Sequence, residues 1–268
     1  MTAMDREKLA EALELAVHVT EAAAATTLQH WRRSDLAVET KGDGSPVTVA
    51  DRAAEAQVRE LLKAAPGFQG LDIVGEEMGR EGEGSPYYWL VDPIDGTKSF
   101  SRGLATFGTM LALVDRETER SVVGVICLPA LAETYAAARG LGATCNGTPI
   151  RASAETELAS VIVSAPDAHQ FRGSGLEEGY VRLRDRVPWL RGYTDCFAHA
   201  MTARGAVAVT LDPGLNPWDA MASQVIVEEA GGSFLLRPST VELAGGTAFD
   251  ALLGSPALVD EIARIVGF

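Results

Sequence analysis

The spacing of apolar residues changes character along the chain. Near the N-terminus Leu9, Leu13, Val17 and Leu28 recur at helical intervals in an Ala-rich background, which predicts one long packing helix over residues 5 to about 31, with Asp5 as its cap. A turn-rich loop follows at residues 39–46, and residues 47–52 open a second helix running to about residue 65. Thr48 is the expected N-cap there, with Asp51 three residues later as the acid of a capping box.

From residue 71 the pattern turns into short apolar runs bounded by turn residues: 71–75, 87–91, 107–114, 121–128 and 133–138. These predict strands, the last three forming an antiparallel meander. Residues 80–85 are a loop rich in Gly and Glu, and Asn146-Gly147 is a hairpin signal. A strand at 161–164, a polar loop or helix start at 167–180, a helix at 195–205 and a strand at 206–211 then suggest βα units. A helix at 220–230 stops at Gly231-Gly232, and strands at 233–236 and 249–254 precede a closing helix at 256–266. The expected division is an N-terminal α+β domain, residues 1–151, and a C-terminal α/β domain, residues 152–268.

Composition narrows the function. With 47% hydrophobic and 22% charged residues the chain is expected to be folded rather than disordered. Its 37 acidic against 23 basic residues give a formal net charge of −14, which repels nucleic acid unless the basic residues cluster. The fullest such group, residues 182–191, is interrupted by Asp185 and apolar residues and reads as a solvated helix face. Cys127, Cys145 and Cys196 are odd in number and lack zinc-site spacing, so a reducing compartment is expected. The acidic N-terminal stretch reads as neither a secretory signal nor a membrane span, and a cytoplasmic protein is expected.

The chemistry concentrates where the run at 87–91 ends. Asp92 and Asp95 are held apart by Pro93, and Gly96-Thr97 follow at once. Carboxylates at a strand end suit a hard cation, and a turn with free backbone N–H groups suits an anion. Asp-x-x-Asp alone also reads as turn solvation. Gly75 lets a carboxylate of Glu76-Glu77 leave its strand end, and pairing of that strand with 87–91 would bring the acidic ends together; adjacent Glu residues also read as surface charge. Asp219 opens a helix and reads as a first-turn acid favoured by the helix dipole.

Trp89 to Phe100, reading Trp-Leu-Val-Asp-Pro-Ile-Asp-Gly-Thr-Lys-Ser-Phe, resembles the signature of the inositol monophosphatase family, metal-dependent and lithium-sensitive phosphatases. The resemblance recurs in Pro-Val-Thr-Val-Ala-Asp, ending at Asp51, in Gly-Glu-Glu at 75–77, and in Trp218-Asp219 followed by a helix and Glu-Ala-Gly-Gly. It implies a layered αβαβα sandwich, a homodimer and two or three Mg2+ ions per site. It further implies that Glu76, Asp92 and the Ile94 carbonyl hold one ion, that Asp92, Asp95 and Asp219 hold a second, and that Asp51 approaches a third. Thr97, in contact with Glu76, would orient the attacking water, and the N–H groups of Gly96 and Thr97 would bind phosphate. Lys41 reads as a solvated loop residue beside that entrance.

The run Asp-Gly-Thr-Lys-Ser-Phe-Ser-Arg-Gly, Thr106-Phe107-Gly108 and Thr-Asp-Cys-Phe-Ala-His at 194–199 look more like the histidinol-phosphate phosphatase branch. The resemblance therefore implies a magnesium-dependent phosphate monoester hydrolase of histidine biosynthesis. Asp195 and Asp212, beside Asp95 and Asp219, would meet a cationic substrate, although Asp195 also reads as a helix cap. Met221 reads as either a pocket wall or core filler. The alternatives are an inositol-1-monophosphatase or broad-specificity sugar phosphatase and, from another class, a non-catalytic protein of the same fold that binds phosphate ligands.

Overall fold

A computed structural model describes residues 4–42, 46–172, 174–243 and 246–268. In chain order the first half forms α1 (Arg6–His30), β1 (Val38–Thr40), β2 (Pro46–Thr48), α2 (Val49–Ala64), β3 (Asp72–Gly75), β4 (Gly79–Glu81), β5 (Tyr87–Asp95) and the short α3 (Thr97–Ser101). It continues through β6 (Gly108–Asp115), β7 (Arg120–Leu128), β8 (Glu133–Ala138), β9 (Gly142–Cys145) and β10 (Thr148–Pro149). The second half forms β11 (Val163–Ser164), α4 (Glu177–Arg186), β12 (Leu190–Arg191), α5 (Asp195–Ala203), β13 (Val209–Leu215), α6 (Pro217–Glu229), β14 (Ser233–Leu243), β15 (Gly246–Gly254) and α7 (Pro256–Val266).

These stack as the expected αβαβα layers. Helices α1 and α2 cover an eight-stranded sheet of order β10-β9-β8-β7-β6-β5-β3-β4; α5 and α6 lie between it and a five-stranded sheet of order β12-β11-β13-β15-β14; α4 and α7 close the far side. The central strands β5 to β8 of the first sheet are apolar with little alternation because both faces are covered. On β5 and β6, Trp89, Val91, Leu111 and Leu113 face the α1–α2 layer, while Leu90, Met110, Ala112 and Val114 face α5 and α6. Ala12, Ala16 and Ala23 on α1 are fully buried, which lets that helix lie close to the sheet. Met221 is buried in the core between the sheets.

The meander β6-β7-β8-β9 is antiparallel throughout, and Asn146-Gly147 makes the two-residue turn between β9 and β10, both residues at positive φ. Polar pairings that no apolar pattern announces account for the differences from expectation. β1 and β2 pair antiparallel across the two ends of the segment read as loop, β2 taking in Val47 and Thr48 of the expected helix start, and the exposed β4 adds to β3 across residues read as loop. The segment at 182–191 is not one helix face, since α4 stops at Arg186 and Leu190–Arg191 is a strand. The β11-α4-β12-α5-β13 stretch is parallel, as βα units require, but β15 runs antiparallel to both β13 and β14. β13 also runs to Leu215 instead of ending at 211, with a register shift between Asp212 and Leu215, so Asp212 sits in a strand and not in the loop before α6.

Candidate active site

Asp92 and Asp95 lie three positions apart, and in a regular strand they would point to opposite faces. The β5–β6 ladder is irregular between Asp92 and Asp95, where the Pro93 carbonyl instead accepts from the Thr109 hydroxyl at 2.8 Å and Ile94 turns its side chain into a small core with Ala50, Phe100 and Phe107. The two carboxylates thereby share one cleft. Asp219, at the third position of α6, joins them: one carboxylate oxygen of each of Asp92, Asp95 and Asp219 lies within 4.8 Å of the others. Asp219 keeps its local duty as well, accepting the Asn216 N–H at 2.8 Å in a capping box.

Such a cluster is electrostatically unfavourable by itself. Burial, then the charges of Glu76, Asp95 and Asp219, pushes the Asp92 carboxyl well above the carboxylate range. Burial and the charges of Asp195 and Asp219 do the same to Asp95, and Asp219 is raised to about 7 by burial and Glu76. Among the described residues Asp92 Oδ1 is buried without a hydrogen-bond partner. An orphaned carboxylate oxygen among all-oxygen donors fits a hard divalent cation, which would supply the missing positive charge.

Glu76 is not one of the three clustered carboxylates but stands close enough to act on Asp92 and Asp219, because β3 and β5 pair in parallel, Gly75 opposite Val91, and its N–H donates to the Val91 carbonyl at 3.1 Å. Lys41 is not a solvated loop residue. Its Nζ lies 2.8 Å from Glu76 Oε1 and 2.6 Å from Glu77 Oε1, and its side chain is 19% exposed. The attraction of neighbouring carboxylates outweighs the solvation of a loop lysine, and no feature of its turn-rich segment announces those partners. Glu77 is likewise no surface charge, its side chain being 5% exposed.

Asp51 holds the capping box of α2, accepting the Thr48 N–H at 2.8 Å and the Thr48 hydroxyl at 2.6 Å. Its other oxygen, Oδ1, lies 3.5 Å from Thr97 Oγ1, which also contacts the Ile94 carbonyl at 2.9 Å. Among the described residues the Thr97 hydroxyl thus partners Asp51 and Ile94, not Glu76 as expected, because α3 turns it toward the start of α2. Gly96 initiates α3 at φ 82°, and a Cβ there would lie 2.9 Å from the Thr106 carbonyl and 3.2 Å from Asp195 Oδ2, so only glycine fits.

The second half supplies the opposite wall. Asp195 is not the cap of α5; Thr194 is, and Asp195 is the first helical residue, at φ 59°, in a conformation that non-glycine residues seldom adopt. The next backbone N–H, of Cys196, donates to Asp95 Oδ2 and ties α5 to β5. Asp212 is nearly fully buried, with Oδ1 accepting from Gln170 Nε2 at 3.1 Å and Oδ2 lying 3.3 Å from His199 Nε2. The sequence assigned no role to Gln170 or to His199, the last residue of the 194–199 motif, whose ring is joined to Ser223 at 2.8 Å across α5 and α6. Burial and then the charge of Asp212 raise the Asp195 carboxyl, so both acids act within one field.

Comparison with known proteins gives the family. Residues 8–251 match the model of the inositol monophosphatase family. A histidinol-phosphatase of Chlorobaculum parvum is 39% identical over 221 residues, covering 82% of this chain and 83% of that protein. One of Mycobacterium tuberculosis is 35% identical over 242 residues, covering 88% and 91%. The crystal structure of the extragenic suppressor protein suhB from Bartonella henselae superimposes with a TM-score of 0.83 at 25% identity, covering 95% of this chain and 98% of that one. Relatedness along almost the whole chain, with carboxylates from both halves meeting in one cleft, makes this protein a phosphoric monoester hydrolase that belongs to the inositol monophosphatase family.

Proposed function

We propose that the chain hydrolyses histidinol phosphate with magnesium. The observation that carries the substrate choice is Asp195. It is held in a left-handed backbone conformation with its carboxylate against Gly96, and it shares a field with Asp95 and Asp212. A wall of carboxylates beside the phosphate end favours an ester carrying ammonium and imidazole groups over a neutral polyol, which needs only hydrogen bonds. The two histidinol-phosphatases at 39% and 35% identity support the same reading.

In this reading Glu76, Asp92 and the Ile94 carbonyl would hold one Mg2+, Asp92, Asp95 and Asp219 a second, and Asp51 would help a third through water. When bound, such ions neutralise phosphoryl charge and lower the pKa of a coordinated water. The chain's own groups do the rest. Thr97, held by the Ile94 carbonyl and facing Asp51, orients the attacking water, and the Gly96 and Thr97 N–H groups receive phosphate oxygens at the start of α3. Asp195, which is only partly buried, holds the organic part of the ester, with the buried Asp212 adding its charge from behind and Asp95 and Asp219 on the phosphate side.

The test is a kinetic comparison of the purified protein on histidinol phosphate and inositol 1-phosphate with Mg2+ present. The reading expects kcat/KM at least about tenfold higher for histidinol phosphate. Equal or reversed values would replace it with an inositol or sugar phosphatase.

A further inference from the structure

Glu55, on α2, is a fully buried carboxylate that the chemistry above does not use. Its Oε2 accepts the Glu77 N–H at 2.8 Å and its Oε1 accepts the Met78 N–H at 3.1 Å. Arg59, one helical turn on and 4% exposed, donates from Nε to Glu55 Oε1 at 2.9 Å and from Nη2 to the Gly79 carbonyl at 2.5 Å. Its Nη1 reaches Glu81 at 3.3 Å. The turn between β3 and β4 is therefore gripped on consecutive amides. The Glu76 N–H is tied to Val91 on β5, and the next two are tied to Glu55 on α2.

This grip explains Gly75. A Cβ at that position would lie 2.1 Å from Glu55 Oε1, so the glycine is needed because the carboxylate passes directly over the backbone. A salt bridge that only fastened α2 to the sheet would not need both carboxylate oxygens on turn amides. The Glu55 carboxylate instead fixes the main chain immediately after Glu76, and Arg59 balances its buried charge. We infer that Glu55, braced by Arg59, is a positioning residue that holds the Glu76 side chain in place for a divalent cation. The inference rests on the reading of Glu76 as a metal ligand. Outer partners that orient ligands commonly change metal affinity by about 10–100-fold when replaced.

The experiment compares wild type with Glu55→Gln, Arg59→Gln and Glu76→Gln. Binding of Mn2+ is followed by loss of the free-ion electron paramagnetic resonance signal, thermal midpoints are measured in parallel, and the Mg2+ and ester dependence of turnover is recorded for each folded variant. Glu55→Gln keeps the side-chain volume and one accepting oxygen. It is expected to weaken Mn2+ binding and raise the Mg2+ requirement by about tenfold or more, with KM for the ester within about twofold. Arg59→Gln, which leaves the carboxylate in place, is expected to weaken Mn2+ by a smaller factor, and it carries the test if Glu55→Gln does not fold. A lower thermal midpoint with unchanged Mn2+ affinity in both variants would show a purely structural pair and overturn the inference. If Glu76→Gln also binds Mn2+ as wild type does, the ligand reading itself falls, and the inference with it. If only Glu76→Gln weakens binding, the ligand reading survives and the positioning role does not.

Discussion

His199 Nε2 lies 3.3 Å from Asp212 Oδ2 in the protein interior, with side-chain exposures of 1% and 3%. The imidazole, anchored by Ser223 on its other nitrogen, stands behind Asp212 as a close polar support. His199→Phe removes this support and leaves a buried carboxylate oxygen without its inner neighbour. The expected outcome is a loss of about 1–3 kcal/mol of stability, read by urea unfolding, and a KM that rises more for histidinol phosphate than for inositol 1-phosphate.

Asp195→Ala separates the cationic substrate from neutral ones. Hydrolysis of histidinol phosphate is expected to fall by about 10–100-fold in kcat/KM, and that of a neutral sugar phosphate far less, because only the former loses a charged partner. Equal losses on both esters would remove the argument for a cationic substrate.

Asp92 stands at the centre of the acidic cluster and carries its orphaned oxygen. Asp92→Asn is expected to lower turnover by more than about a hundredfold and to abolish the rise in thermal midpoint expected for wild type on addition of Mg2+. Chelation by EDTA should silence the wild-type enzyme reversibly, activity returning when Mg2+ is added. Near-normal turnover in Asp92→Asn would sink the ligand assignment.

Acid sensitivity should trace to Asp72, at the other end of β3. Burial pushes its carboxyl up, but donation from Ser85, Arg80 and Gly84 outweighs this and holds it well below the carboxylate range, with Arg116 Nη2 also 2.7 Å away. A folded pKa below the unfolded value of about 3.9 contributes stability that is present at neutral pH and lost as pH falls below about 4. Asp72→Asn should cost about 3 kcal/mol at pH 7 and flatten the acid limb of the thermal-midpoint profile below about pH 4. An unchanged acid limb would move the effect elsewhere.

Legibility of the site followed sequence distance. Asp92, Asp95, Gly96 and Thr97 stand in one dozen-residue run whose proline, glycine and carboxylates point together to a cation beside an anion, and Glu76 follows a glycine at the end of an adjacent strand. Lys41, Glu55 and His199 could not be read in this way. Each sits in an unremarkable loop or helix, and its partner lies on another element, so no periodicity or turn signal links the two.

The chain by itself determined the helices and buried strands, because an apolar run of given length and period has few ways to leave water, and it determined the family through short motifs. Only the tertiary structure decided which face of the strand end Asp95 uses, since a ladder irregularity at Pro93 and Ile94 depends on hydrogen bonds to β6. It likewise decided that Lys41 is buried against carboxylates and that Asp212 lies in a strand backed by His199. Hydrophobic burial is written in local composition, whereas polar pairing depends on which remote groups the packed layers bring within a few ångströms.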